Sequence, residues 1–182
     1  HQLDLIRKFR GQLKVDGPGK NYLVQHTTGS GKSYSIGWLS HTLTSLYHSK
    51  GDTKRMFDSI IVITDRTVLD DQLRNTIRSL AKIDGVVNGV EHGSQELKKF
   101  LEQGKDIIIT TIQKFPFISE SISSLGDRTF AVIIDEVHSS QSGELSKELK
   151  KSLSKNDDDD DEFDFEEMLR QEIQNRGKQD HI

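Results

Sequence analysis

Runs of four to six residues, dominated by β-branched and aromatic side chains, recur along the chain. They lie at Tyr22–Gln25, Ser59–Thr64, Asp106–Thr111 and Phe130–Asp135, with a weaker one at Gly85–Val90. Ile60 to Ile63, Ile107 to Ile109 and Val132 to Ile134 are apolar without a break. Such runs predict strands covered on both faces, as parallel strands are. Between them the apolar positions change period. Ile36, Leu39, Leu43, Leu46 and Tyr47 follow helical spacing, as do Leu69, Leu73, Ile77 and Leu80 after a capping Thr67. Leu97, Phe100 and Leu101 predict a third helix capped by Ser94. Leu145, Leu149 and Leu153 predict a fourth after Gly143, and Phe163, Phe165, Met168, Leu169 and Ile173 a last one ending near Gly177. Strands alternating with helices predict an α/β fold, a mostly parallel sheet with helices on both faces.

Composition narrows the setting. The 182 residues suit one domain with a sizeable core. Cysteine is absent, which excludes disulfides and thiolate metal sites and favours a reducing compartment such as the cytoplasm. No apolar run has the length of a membrane span, so no membrane partner is expected. The chain begins with His1 rather than Met, and a piece of a longer protein is the expectation. Net charge is -4, but the charges are segregated. Asp157 to Ile182 carries 11 acidic and 3 basic residues, whereas His1 to Asn156 carries 18 acidic and 22 basic ones. A mildly basic body suits a polyanionic partner. The acidic run Asp157–Glu162 is expected to be a solvated, mobile linker.

Two motifs carry chemistry. Gly29-Ser30-Gly31-Lys32-Ser33 sits between the first expected strand and the first long helix. A glycine-rich turn there lets successive backbone N–H groups, Thr28 to Ser33, point at phosphate oxygens, with the helix N-terminus adding its positive end. Lys32 is expected to reach the β- and γ-phosphates of ATP, and the Ser33 hydroxyl to coordinate Mg²⁺. The general phosphate-loop pattern has glycine six residues before the lysine; this chain has His26, to which no chemistry is assigned. The second motif, Asp135-Glu136-Val137-His138, ends the expected strand Phe130–Asp135. A carboxylate at the carboxyl end of a strand is well placed for a metal, so Asp135 is expected to hold Mg²⁺ through its water shell. Glu136 is expected to orient and deprotonate the attacking water. Lys32, Asp135 and Glu136 are therefore the expected catalytic set.

Adjacent Asp135 and Glu136 followed by His138 resemble the DExH box of superfamily 2 helicases and translocases, in which the histidine couples the nucleotide site to the nucleic-acid groove. Three further segments resemble parts of that superfamily. Ile63-Thr64-Asp65-Arg66, followed by Leu69 to Leu73, is similar to a strand-to-helix motif that touches the DNA backbone. Thr110-Thr111-Ile112-Gln113-Lys114-Phe115 is similar to a second such motif. His1-Gln2, ahead of Leu3 and Leu5, resembles the upstream element whose glutamine reads the adenine edge. Gln25 to Ser33 (QHTTGSGKS, His26 included) and Asp135 to Glu144 (DEVHSSQSGE, with Val137 for a more usual alanine) resemble the restriction, or motor, subunit of type I restriction–modification enzymes. The likeness spans His1 to about Glu144.

That resemblance implies a RecA-like P-loop NTPase domain over residues 1–153, a linker over 154–162 and a helical segment over 163–182 leading on to the rest of the motor. It implies ATP and Mg²⁺ as cofactors, with Gln2, Thr28, Gly29, Ser30, Gly31, Lys32 and Ser33 around the nucleotide. It further implies translocation of duplex DNA contacted by Thr64, Arg66, Thr110, Thr111 and Gln113, with modification and specificity subunits as partners. A nuclease domain before His1 and an arginine finger after Ile182 are implied as well. Phosphate contact would be independent of sequence, leaving base specificity to another subunit. Other readings stay open on the residues alone. Arg66 can equally pair with Asp70, and His138 can be an ordinary surface histidine. Another superfamily 2 translocase, or a nucleotide-binding module without turnover, shares these motifs. A small-molecule kinase would need lid arginines, and Gln141–Asn156 has none.

Overall fold

The computed structural model describes residues 2–27, 29–49, 51–64, 67–81, 84–111, 114 and 125–135, the side chains of 67–71 excepted. In chain order the elements are α1 (Gln2–Asp16), α2 (Lys32–Thr44), β1 (Ser59–Thr64), α3 (Thr67–Ser79), β2 (Val87–Gly89), α4 (Ser94–Glu102), β3 (Ile107–Thr111) and β4 (Phe130–Ile134). The expected helices after Gly143 and the acidic run lie outside the described residues.

The four strands form one parallel sheet in the order β2-β3-β1-β4. Ile60 opposes Ile107 on one side and Ala131 on the other. Successive side chains of a strand face opposite sides of a sheet, so an unbroken isoleucine run needs two apolar layers. Both exist. Ile60, Val62, Ile107 and Ile109 face Ile6 and Leu13 of α1, Ile36, Leu39 and Leu43 of α2, and Leu73 and Ile77 of α3. Ile61, Ile63 and Ile108 face Leu97 and Leu101 of α4 on the other side. This is the expected α/β architecture with helices on both faces, and β1 and β3 at its centre are fully buried.

Two local details explain how tightly the helices sit. A Cβ on Gly37 of α2 would lie 2.8 Å from Leu80 Cδ1, so the glycine allows α2 to press against the end of α3. His41 Nε2 and the Ile77 carbonyl, 2.9 Å apart, join the same two helices. At the amino ends of the strands, Asp58 accepts from the Thr129 amide at 2.7 Å and Arg55 pairs with Asp106.

Helix α4 has Gly93 rather than Ser94 as its N-cap, with no side-chain cap bond, because Ser94 is already its first helical residue. The structure departs from the sequence reading in three further places. Tyr22–Gln25 is not a strand: it lies in no ladder, and β4, with intermediate burial, has only β1 as its partner among the described strands. Tyr22 turns to α1 instead, packing against Phe9 with tilted rings whose centroids are 4.7 Å apart and donating its hydroxyl to Asp16 at 2.7 Å. Burial and the Asp16 carboxylate push the Tyr22 phenol up to about 12. Secondly, residues Gln2–Asp16 form a helix that the apolar pattern did not predict. Thirdly, α2 ends at Thr44, so Leu46 and Tyr47 lie beyond it, where Tyr47 makes an isolated antiparallel bridge with Arg55 and the Met56 amide donates to the Leu46 carbonyl at 2.7 Å.

Candidate functional site

The loop before α2 turns on two glycines in left-handed conformations, Gly29 with φ 76° and Gly31 with φ 84°. Between them the Ser30 amide donates to the Thr27 carbonyl at 3.1 Å. Helix α2 starts directly afterwards, at Lys32. Its N-cap is Gly31, which has no side chain to accept the first-turn N–H groups, so the helix presents its positive end to the loop. From α1, Gln2 Nε2 donates to the Gly31 carbonyl at 3.2 Å and reaches the Ser30 carbonyl at 3.4 Å. Gln2, expected from its motif to read adenine, thus stands against the loop itself.

Gly31 is doubly constrained. A Cβ there would sit 2.2 Å from Gln2 Nε2, and the left-handed backbone costs an L-residue roughly 1–2 kcal/mol. The variant Gly31→Ala is expected to bind MgATP roughly 5- to 30-fold more weakly, the factor that strain represents in binding. Titration of a fluorescent ATP analogue reads this directly. Unchanged affinity would mean that phosphates do not sit in this loop.

The second half of the site comes from the sheet. Asp135 follows β4 and is held by its own amide, which donates to the Ile63 carbonyl of β1 at 2.9 Å. Its carboxylate is 10% exposed and meets Lys32, with Nζ 2.7 Å from Oδ1. The contact lies off the direction of a good hydrogen bond, so charge rather than a directed bond holds Oδ1 there. A nearly buried carboxylate facing Lys32, and the hydroxyl of Ser33 next to that lysine at the start of α2, are oxygen donors of the kind Mg²⁺ takes. No cluster of three or more carboxylate or imidazole side chains suited to a metal occurs among the described residues. One carboxylate and one hydroxyl fit an ion that keeps several waters and takes its other ligands from substrate phosphates.

The other expected residues divide by position. Thr64 and Thr111 oppose one another at the carboxyl ends of β1 and β3, and Thr110 opposes Ile63. All three side chains are buried, and the hydroxyls of Thr64 and Thr110 have no hydrogen-bond partner among the described residues. Thr28, Arg66, Gln113, Glu136 and His138 lie outside the described residues. Two features escaped the sequence reading. His26 Nδ1 lies 3.0 Å from Ser30 Oγ, a contact that only the (i, i+4) spacing across a glycine turn hinted at. Lys114 Nζ donates to the Val90 carbonyl at 2.6 Å, joining the segments that leave β3 and β2. Beside it the Glu96 carboxylate accepts the amides of Glu91 and His92 at 2.6 and 2.7 Å. The His92 bond is the main cause holding that carboxyl below its ordinary range, against the opposing effect of burial.

Residues 1–157 match the family model of the SWI2/SNF2 ATPases. The chain is also similar to the type I restriction enzyme SauCOLORF180P endonuclease subunit of Staphylococcus aureus strain COL. They are 30% identical over 136 residues, 72% of this chain and 14% of that protein. A putative type I restriction enzyme MjaIXP endonuclease subunit of Methanocaldococcus jannaschii is 34% identical over 137 residues, 72% of this chain and 12% of that protein. The type I restriction enzyme HindI endonuclease subunit of Haemophilus influenzae is 33% identical over 126 residues, 66% of this chain and 11% of that protein. The chain therefore spans a small fraction of the length of these relatives.

Proposed function

Because the chain belongs to the SWI2/SNF2 ATPase family, we propose that it is the ATP-binding motor domain of a type I restriction endonuclease subunit, coupling ATP hydrolysis to movement along duplex DNA. The observation that carries this reading is the Lys32–Asp135 pair. It brings the loop that starts α2 to the carboxyl end of β4, the edge of a parallel sheet where nucleotides bind.

In this reading the amides of residues 28–33 and the Lys32 ammonium take the phosphates, and Gln2 moves between the loop and the adenine edge. Ser33 and Asp135 would hold Mg²⁺, which would supply neutralisation of the triphosphate's charge. Lys32 exchanges its Asp135 partner for phosphate oxygens as the nucleotide enters. Glu136 accepts the proton of the attacking water, and His138 links that event to the DNA groove.

The DNA path follows the carboxyl edge of the sheet. Thr64, Arg66, Thr110, Thr111 and Gln113 are the proposed contacts to the DNA phosphates, and the burial of the three threonines favours Arg66 and Gln113 for the direct ones. Modification and specificity subunits supply sequence recognition, and DNA cleavage is a task of other parts of the subunit. The division into a motor body over residues 1–153, a linker over 154–162 and a connecting segment over 163–182 belongs to the same proposal, as does a cytoplasmic location. Among the described residues no helix is long and apolar enough to cross a membrane.

ATP hydrolysis by the subunit that carries this chain should rise on adding duplex DNA, and the stimulation should fade with salt as counterions compete for the phosphates. Displacement of a triplex-forming strand from the same duplex measures the movement itself. Hydrolysis indifferent to DNA would remove the motor reading, and nucleotide binding without any hydrolysis would leave only a binding module.

A further inference from the structure

We infer that His26 is a positioning residue of the phosphate loop, shaping it through the Ser30 hydroxyl before nucleotide arrives. The inference rests on the ATP-binding reading above and adds to it a role for the residue that departs from the general loop pattern.

Ser30 is held at three points. Its hydroxyl meets His26 Nδ1 at 3.0 Å, its amide donates to the Thr27 carbonyl at 3.1 Å, and its carbonyl faces Gln2 Nε2 at 3.4 Å. The amide and carbonyl belong to the two peptide planes that flank the residue. In a trans peptide the carbonyl and the next N–H point in opposite directions. Fixing the Ser30 carbonyl toward Gln2 therefore aims the Gly31 N–H away from Gln2. The flanking residues Gly29 and Gly31 have the greatest backbone freedom, and freezing them on binding is costly. A side-chain strut that restrains Ser30 in the free protein removes part of that cost. Both His26 and Ser30 are half-buried, so the contact is shielded from competing water. A glycine at position 26 could not make it.

Isothermal titration with MgATP, on the chain and its variants, tests this. His26→Ala should weaken affinity about 2- to 10-fold, the range of one hydrogen bond between neutral groups. His26→Asn places a polar atom near the Nδ1 position and should restore most of the loss. His26→Gln reaches the Nε2 position instead and should behave like alanine. In a Ser30→Ala background, His26→Ala should cost nothing further, because the two side chains act as one unit. Unfolding midpoints without nucleotide should stay within the spread of the Asn variant. Equal losses in both backgrounds would overturn the inference in favour of a direct imidazole–phosphate contact, and no loss on His26→Ala would overturn it outright. A wild-type chain that binds no MgATP would instead bring down the ATP-binding reading, and this inference with it.

Discussion

Lys32→Ala should abolish measurable MgATP binding, lowering affinity roughly 30- to several-thousand-fold, the range for truncating one partner of a buried charged pair. Two effects add. The loop loses the Lys32 ammonium, and the Asp135 carboxylate, 10% exposed, loses the cation 2.7 Å away. An incoming triphosphate would then face an unneutralised, nearly buried anion in a medium where like charges repel strongly. Lys32→Arg should restore little, since a planar fork does not replace a compact ammonium in a tight loop. Calorimetric titration gives the affinities, and thermal unfolding of both variants separates a local loss from a general one. Equal affinity in wild type and Lys32→Ala would end the assignment of this loop to phosphate.

Much of the fold was legible because its centre is extreme. β1, β3 and β4 each hold an unbroken β-branched run, Ile60 to Thr64, Ile107 to Thr111 and Val132 to Ile134, and the two apolar layers these demand are present. The failures have physical causes. α1 buries only Ile6 and Leu13, one heptad apart, and carries Gly11 between them, so its apolar stripe is thin and interrupted. Tyr22–Gln25 has strand-forming side chains, but a strand exists only where a ladder partner is in reach, and Phe9 and Asp16 on α1 offered Tyr22 another home. The candidate site was named in sequence without its geometry. Lys32 and Asp135 were picked out by their motifs and by the helix and strand expected beside them. Their contact depends on β4 lying beside β1, which no local pattern encodes. Burial of Thr64 and Thr110 was hidden for the same reason, because a strand's terminal residue is exposed or buried according to what packs over the sheet edge.

Glu136→Gln should separate binding from chemistry. In the proposed reaction the glutamate does one thing that glutamine cannot: it accepts a proton from the attacking water. Glutamine keeps the size and the ability to hydrogen-bond that water, so the MgATP pocket is preserved and affinity should change by less than about threefold, within the range of one neutral hydrogen bond. Loss of a positioned general base lowers turnover by roughly 10²- to 10⁴-fold. Asp135→Asn should behave differently. The variant keeps the backbone bond to the Ile63 carbonyl but loses the charge that pairs with Lys32, which weakens metal and nucleotide binding together with turnover. Steady-state hydrolysis with duplex DNA, in the subunit that carries the chain, gives kcat and KM for each variant, and equilibrium titration gives the affinity independently. A fall in kcat alone for Glu136→Gln, beside a fall in both quantities for Asp135→Asn, is the expected pattern. Parallel losses in affinity and turnover for Glu136→Gln would place that carboxylate on the metal, and undiminished turnover would show that another group activates the water.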